Sequence, residues 1–230
     1  MFASHIWKPY WSLYVIELGG SKSAVGALST LQSFSNLALL LPGGMLADRF
    51  GRKRIILVSS LFSFLSPIML LFPNSWAGLI PGIIASAFSS LSIPAQGALI
   101  AESLPPEKRA TAFSVYTMAW YLFIVIAYPF GGFVMDAYGV VPGTHLGLLF
   151  SFFIMAPIIL IQWRLLKETI KPNHVAAGGG VNRIGAIMGK LRGIPRVLWI
   201  LLLVAVFSCF GFQLFWSFVV VYCIEQIGIK

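Results

Sequence analysis

The sequence predicts an all-α integral membrane protein with six full transmembrane helices and a short first helix. Three observations predict it: of 230 residues, 58% are apolar, only 10% are charged, and the apolar residues fall in long runs. Soluble domains carry about 25% charged residues, which sets aside a soluble globular enzyme. The net charge of +9 comes from sixteen bases against seven acids, and its meaning depends on where the bases lie.

A bilayer-spanning helix needs about 20 mostly apolar residues. The runs 25–47, 55–72, 76–101, 111–135, 146–163 and 197–222 have that character. The stretch 2–18 is shorter, with a helical rise of about 26 Å, and it contains His5, Lys8 and Pro9. It lacks a basic leader and a small-residue cleavage site, so it is not a signal peptide; it reads as the outer part of a first span. Segment 166–196 is polar and basic with Gly178-Gly179-Gly180 in its middle, the composition of a flexible linker. Within it Val181, Ile184, Met188 and Leu191 recur at helical spacing. That fits either a helix lying on the membrane surface or an ordinary connecting helix in water. Three regions result: a six-helix bundle at 1–165, the linker at 166–196, and the first helix of a second bundle at 197–230.

The bases set the orientation. Arg49, Arg52, Lys53 and Arg54, then Lys108 and Arg109, then seven more from Arg164 to Arg196 place thirteen of the sixteen on alternate connections. Loops 47–54, 102–110 and 164–196 are therefore expected in the cytoplasm, with the chain a multi-pass protein of the plasma membrane. Lys22 and Lys230 lie opposite, and Lys8 falls inside the first span. The charge is mostly a topology signal, so nucleic acid is not an expected partner. Cys209 and Cys223 would stand about 21 Å apart on one helix, beyond the reach of a disulfide.

Two internal repeats organise the chain. Gly43-Gly44-Met45-Leu46-Ala47-Asp48-Arg49-Phe50-Gly51 ends the second span, and Gly131-Gly132-Phe133-Val134-Met135-Asp136-Ala137-Tyr138-Gly139 ends the fifth, 88 residues later. Both glycines, the Asp, an aromatic and the final Gly recur in register, one copy on each side of the membrane. That is the form of an inverted three-plus-three repeat. With an offset of 208, Tyr14-Val15-Ile16-Glu17 recurs as Tyr222-Cys223-Ile224-Glu225, which makes the seventh span a parallel copy of the first.

Gly44-Met45-Leu46-Ala47-Asp48-Arg49-Phe50-Gly51-Arg52-Lys53 resembles the signature of the major facilitator superfamily, Gly-x-Leu-Ala-Asp-Arg-x-Gly-Arg-Lys, at every specified position. Glu102 with Pro105-Pro106-Glu107-Lys108-Arg109 is similar to that family's next loop on the same side. The resemblance implies two bundles that rock about a central cavity. It also implies a conformational latch built from Gly44, Asp48, Arg49, Gly51, Arg52, Lys53, Glu102 and Arg109. Read from their chemistry, Gly51 permits a left-handed turn and Asp48 can accept hydrogen bonds from Arg52 or an exposed helix N-terminus. The alternative reading is a turn that only anchors topology. Two marks of proton-coupled members are missing: no base lies in 76–101, and the fifth span reads Tyr128-Pro129-Phe130-Gly131-Gly132, one residue short of the antiporter signature.

Lys8 is the one base at membrane depth, where a charge costs about 2.5–3.5 kcal/mol and usually faces a cavity or a partner. His5 shares its face. Snorkelling to the surface is the competing account. The 208 offset sets Gln213 opposite His5 and Trp216 opposite Lys8, which fits a substrate cavity at the repeat interface or plain interhelical packing. Tyr116, Trp120 and Tyr121 form an aromatic stripe open to the same two readings. Gln32 and Asn36 read as interhelical hydrogen bonders, and Gly78, Gly82, Ser86, Ser89 and Ser90 as a close-packing face.

No His-Glu-x-x-His, Gly-x-Ser-x-Gly or phosphate-cradling glycine loop is present, so no catalytic residue, metal or cofactor is expected. The expected function is secondary active transport of a small-molecule substrate by alternating access, with a coupling ion as a further partner. The rival is a non-transporting membrane protein, either an assembly half for a second chain that supplies the missing helices or an inactive truncated carrier.

Overall fold

The computed structural model describes residues 2–166, 168, 196–216 and 218–227, and no strand occurs among them. Helix α1 is broken: Phe2–Trp7, a 3-10 turn at Lys8–Tyr10, then Trp11–Glu17. Single helices follow at α2 (Lys22–Phe50), α3 (Arg52–Leu71), α4 (Trp76–Glu102), α5 (Pro106–Tyr138) and α6 (Val140–Leu165). Beyond them lie α7 (Arg196–Trp216) and α8 (Val219–Ile227). The five from α2 to α6 are long and apolar enough to cross a membrane. The run 197–222, expected as a sixth full span, divides between α7 and α8. In the sequence only Ser217 interrupts the apolar residues there, with no proline or charge, so hydropathy passes over the division. The amphipathic segment around Val181–Leu191 lies outside the described residues.

Turn chemistry fixes the helix ends. Ser21 accepts a hydrogen bond from the Ala24 N–H at 3.2 Å and so caps α2. Gly51 and Gly139 end α2 and α5 at φ +95° and +86°, in the left-handed region that favours glycine. Their N–H groups donate to the carbonyls of Ala47 and Met135 at 3.1 and 2.9 Å. The two turns are 88 residues apart, and so are the two acceptors.

The same repeat governs packing. If α1 answers to α4, α2 to α5 and α3 to α6, each principal interface has a counterpart. The α1–α5 contact answers to α4–α2, α1–α6 to α4–α3, and α5–α6 to α2–α3, while α3 packs directly on α6. The crossings are made by glycine. A Cβ on Gly43 would stand 2.7 Å from the Leu91 backbone of α4, and one on Gly131 would run into the Ile6 carbonyl of α1. Close by, each partner helix carries a proline, Pro94 or Pro9, which removes a backbone donor and crowds the preceding turn. Both helices tighten to 3-10 geometry beside it, at Phe88–Leu91 and at Lys8–Tyr10.

Polar side chains tie the remaining helices. Gln32 donates to Ser86 at 2.8 Å and Ser90 to Asn36 at 2.9 Å, two rungs one turn apart between α2 and α4. Ser66 donates to the Gly82 carbonyl at 3.0 Å, and a Cβ at Gly82 would meet the Leu70 side chain, as the small-residue face requires. The Trp7 indole donates to Ser151, and the Tyr14 hydroxyl donates to the Leu70 carbonyl at 3.0 Å with His145 Nε2 at 3.2 Å. Around these, Tyr14, Val15, Val25, Leu79, Ile83 and Leu148 form the buried core.

The glycine crossings set a stability expectation. Overpacking costs about 1–3 kcal/mol, against a helix-propensity gain of about 1 kcal/mol for replacing glycine with alanine. Gly43→Ala and Gly131→Ala should therefore lower stability in denaturant unfolding. Gly44→Ala, whose Cβ would sit 3.7 Å from Pro94, should not. Equal stability in all three would refute the glycine crossing as a packing constraint.

Candidate functional site

Two clusters gather the candidate residues. The first is at the basic end of the bundle. After Gly51, helix α3 opens on Arg52, whose side chain is only 8% exposed and forms an ion pair with Glu102 at the end of α4. Glu168, three residues beyond α6, accepts from the backbone N–H groups of Arg52 and Lys53 at 3.0 and 3.2 Å. These are the orphan donors of a helix N-terminus, and a carboxylate there is favoured by both hydrogen bonding and the helix dipole. Any Cβ on Gly51 would collide with the Glu168 carboxylate. Gly51 is required for its backbone angle, and its lack of a side chain also leaves room for the carboxylate.

Asp48, expected to accept from Arg52 or from a helix N-terminus, is instead exposed, and Glu102 and Glu168 take those two positions. Asp48 lies in the last turn of α2, where Cα–Cβ bonds tilt back toward the start of the helix and away from α3. Arg49 lies over the Phe50 ring at 5.3 Å, Lys53 contributes its backbone N–H, and Gly44 faces Pro94 with room for a side-chain carbon between them. The Arg109 Nε–H donates to the Leu104 carbonyl at 3.3 Å and folds the α4–α5 loop. Glu168 was missed by the sequence reading. Its signal is faint: it is the only acid among seven bases in 164–196.

The second cluster is aromatic. A cavity of about 160 Å³ between α1 and α5 is lined by His5, Tyr116, Ala119, Trp120 and Phe123. The His5 ring meets Trp120 edge-on at 6.3 Å and lies 6.3 Å from Tyr128. Tyr128 is in turn 6.5 Å from Trp216 of α7, which stacks on Phe212 at 5.2 Å. The structure thus joins His5, Trp120 and Trp216 through Tyr128, a residue that the sequence reading noted only as part of an imperfect signature. Tyr128 lies eight residues after Trp120, two turns along one face, which is the available signal. Lys8 sits in the 3-10 turn of α1 and is exposed, as is Gln213.

The family model of the Major Facilitator Superfamily matches residues 2–230. The chain belongs to that superfamily.

Among its relatives, the probable galactarate/D-glucarate transporter GarP of Escherichia coli K12 is 29% identical over 54% of this chain and 29% of its own length. The probable galactarate/D-glucarate transporter GudP of the same strain is 28% identical over 80% of this chain and 43% of its own. The crystal structure of a mutant peptide transporter POT superposes with a TM-score of 0.62 at 19% identity, covering 91% of this chain and 44% of that one. The chain spans less than half the length of these proteins. As a superfamily member it is a multi-pass membrane protein of a transporter family, and the signature loop is the one that carries the Arg52–Glu102–Glu168 cluster.

That cluster has a measurable weight. Glu102→Gln leaves a buried guanidinium facing a neutral amide. Breaking a fully buried pair costs about 3–5 kcal/mol, and with Glu102 46% exposed a loss of about 1–3 kcal/mol is expected. Glu107→Gln, in the exposed first turn of α5, should lose only the helix-dipole interaction, about 0.3–1 kcal/mol. Equal losses in denaturant unfolding would remove the special role of the Arg52–Glu102 pair.

Proposed function

We propose that the chain works in secondary active transport of a small solute by alternating access, as part of a carrier with two rocking halves. The observation that carries this reading is the position of the aromatic cavity. It opens where the broken helix α1 meets α5, and its His5 ring lies beside Tyr128, which in turn meets Trp216 from the next repeat. Discontinuous helices at a repeat interface are where carriers of this build hold their solutes. Irregular backbone at membrane depth is tolerated only inside protein or along a cavity.

In this reading His5, Lys8, Trp120, Gln213 and Trp216 belong to the solute site. The basic end, with Gly44, Asp48, Arg49, Gly51, Arg52, Lys53, Glu102 and Arg109, is the latch that closes and opens as the halves rock. Glu168 joins that set. It stands at the start of the segment leading to α7, so movement of the second half would pull directly on the cap of α3. Loops 47–54, 102–110 and 164–196 face the cytoplasm, the chain resides in the plasma membrane, and further helices come from a following segment or a second chain. Regions 1–165, 166–196 and 197–230 then serve as first bundle, linker and start of the second bundle.

The test is solute uptake into proteoliposomes containing this chain with its second half supplied. Uptake above that of empty vesicles is expected, and none across a solute panel would sink the transport reading. In the same carrier, Asp48→Asn combined with Arg52→Gln should abolish uptake while leaving membrane insertion unchanged. Undiminished uptake would return the turn to a topology anchor.

A further inference from the structure

We propose that the cavity between α1 and α5 seats the ring of a small aromatic carboxylate, and that the Lys8 ammonium receives its carboxylate group. This rests on the transport reading above and names the solute class for its site. Size is the first argument. An apolar cavity of about 150 Å³ holds one benzene, so the roughly 160 Å³ here fits a single ring.

Lining is the second. Four of the five lining side chains are rings, those of His5, Tyr116, Trp120 and Phe123, and the Tyr116 hydroxyl already donates to Gln96 at 3.4 Å. Such walls offer edge-to-face partners to an aromatic solute. A hydroxyl-rich solute would leave its polar groups unsatisfied there.

Charge is the third. All seven acids, Glu17, Asp48, Glu102, Glu107, Asp136, Glu168 and Glu225, fall at helix ends or beyond them, and none at the depth of the cavity. Lys8 is the fixed charge at that depth, and the face it occupies is set by packing. Ile6 and Trp7 are buried, the Ile6 backbone against Gly131 of α5 and the Trp7 side chain against Gly147 of α6, whereas Lys8 is exposed one helical turn beyond His5, which lines the cavity. The repeat agrees: aligning Pro9 with Pro94 pairs Lys8 with Ile93, and Ile93 is 59% exposed on α4. An exposed base one turn from the cavity, with no acid of the chain at its depth, selects for an anion.

The test is equilibrium dialysis of labelled benzoate against the full chain in lipid nanodiscs, with benzamide as the neutral isostere and galactarate as a hydroxyl-rich dianion. Benzoate should be retained at least about tenfold more tightly than benzamide. Lys8→Gln should level the two, Lys8→Arg should keep the preference, and Ala119→Leu, which fills the cavity, should weaken both. No benzoate retention, equal binding of benzamide, an unaffected Lys8→Gln variant, or competition by galactarate as strong as by benzoate would each overturn the assignment. Dialysis reads binding and not flux. Benzoate retention without proteoliposome uptake would keep the site and remove the transport reading, whereas uptake of another solute without benzoate retention would do the reverse.

Discussion

Lipid tails are as apolar as leucine, so helices in a bilayer gain little hydrophobic free energy by meeting, and packing must come from close backbone approach and polar contacts. In this bundle that constraint is met at two crossings, Gly43 on the α4 backbone and Gly131 on the α1 backbone. Each sets a glycine against a helix that a proline has already loosened. Without the close approach, α1 and α4 could not lie against α5 and α2, and neither cluster of candidate residues would be assembled.

Both clusters are anchored to these crossings by short lengths of rigid helix. From Gly43, two turns of α2 lead to Gly51, where the chain reverses and presents Arg52 to Glu102. From Gly131, one turn back along α5 lies Tyr128 and two further turns back lies Trp120, facing His5 one residue before the Ile6 contact. The proline that loosens α1 also places Lys8 in the 3-10 turn beside that contact. Packing and chemistry therefore share residues, so changes at the crossings act on stability and on the cavity together.

Much of this was legible in the sequence because membrane helices announce themselves by composition, and because the repeat marks its own glycines. The superfamily, the helical fold, the Gln32 and Asn36 rungs and the close-packed face of α4 all follow from such local signals. What was not legible depends on separation in the chain. Glu168 meets Arg52 across 116 residues, from a segment whose composition reads only as linker. Tyr128 connects α1 to α7 through geometry that periodicity along α5 cannot show. The Asp48 carboxylate was expected to accept from Arg52 or a helix N-terminus, but the direction of its side chain depends on where α2 ends, and Glu102 and Glu168 hold those two positions.

The two glycine turns sharpen the distinction between fold and function. Gly51 and Gly139 share a left-handed φ of +95° and +86°, the same acceptor spacing and the same place in the repeat, so the fold treats them alike. Their chemistry diverges one residue later, where α3 begins with Arg52 and α6 with Val140. A turn needed only to reverse the chain would need no buried guanidinium, since Gly139 reverses it without one. The charged pair and the Glu168 cap at Gly51 therefore add something that reversal alone does not require. Because Glu168 belongs to the segment leading toward α7, the alternating-access reading proposed above assigns that addition the task of linking the first bundle to the second.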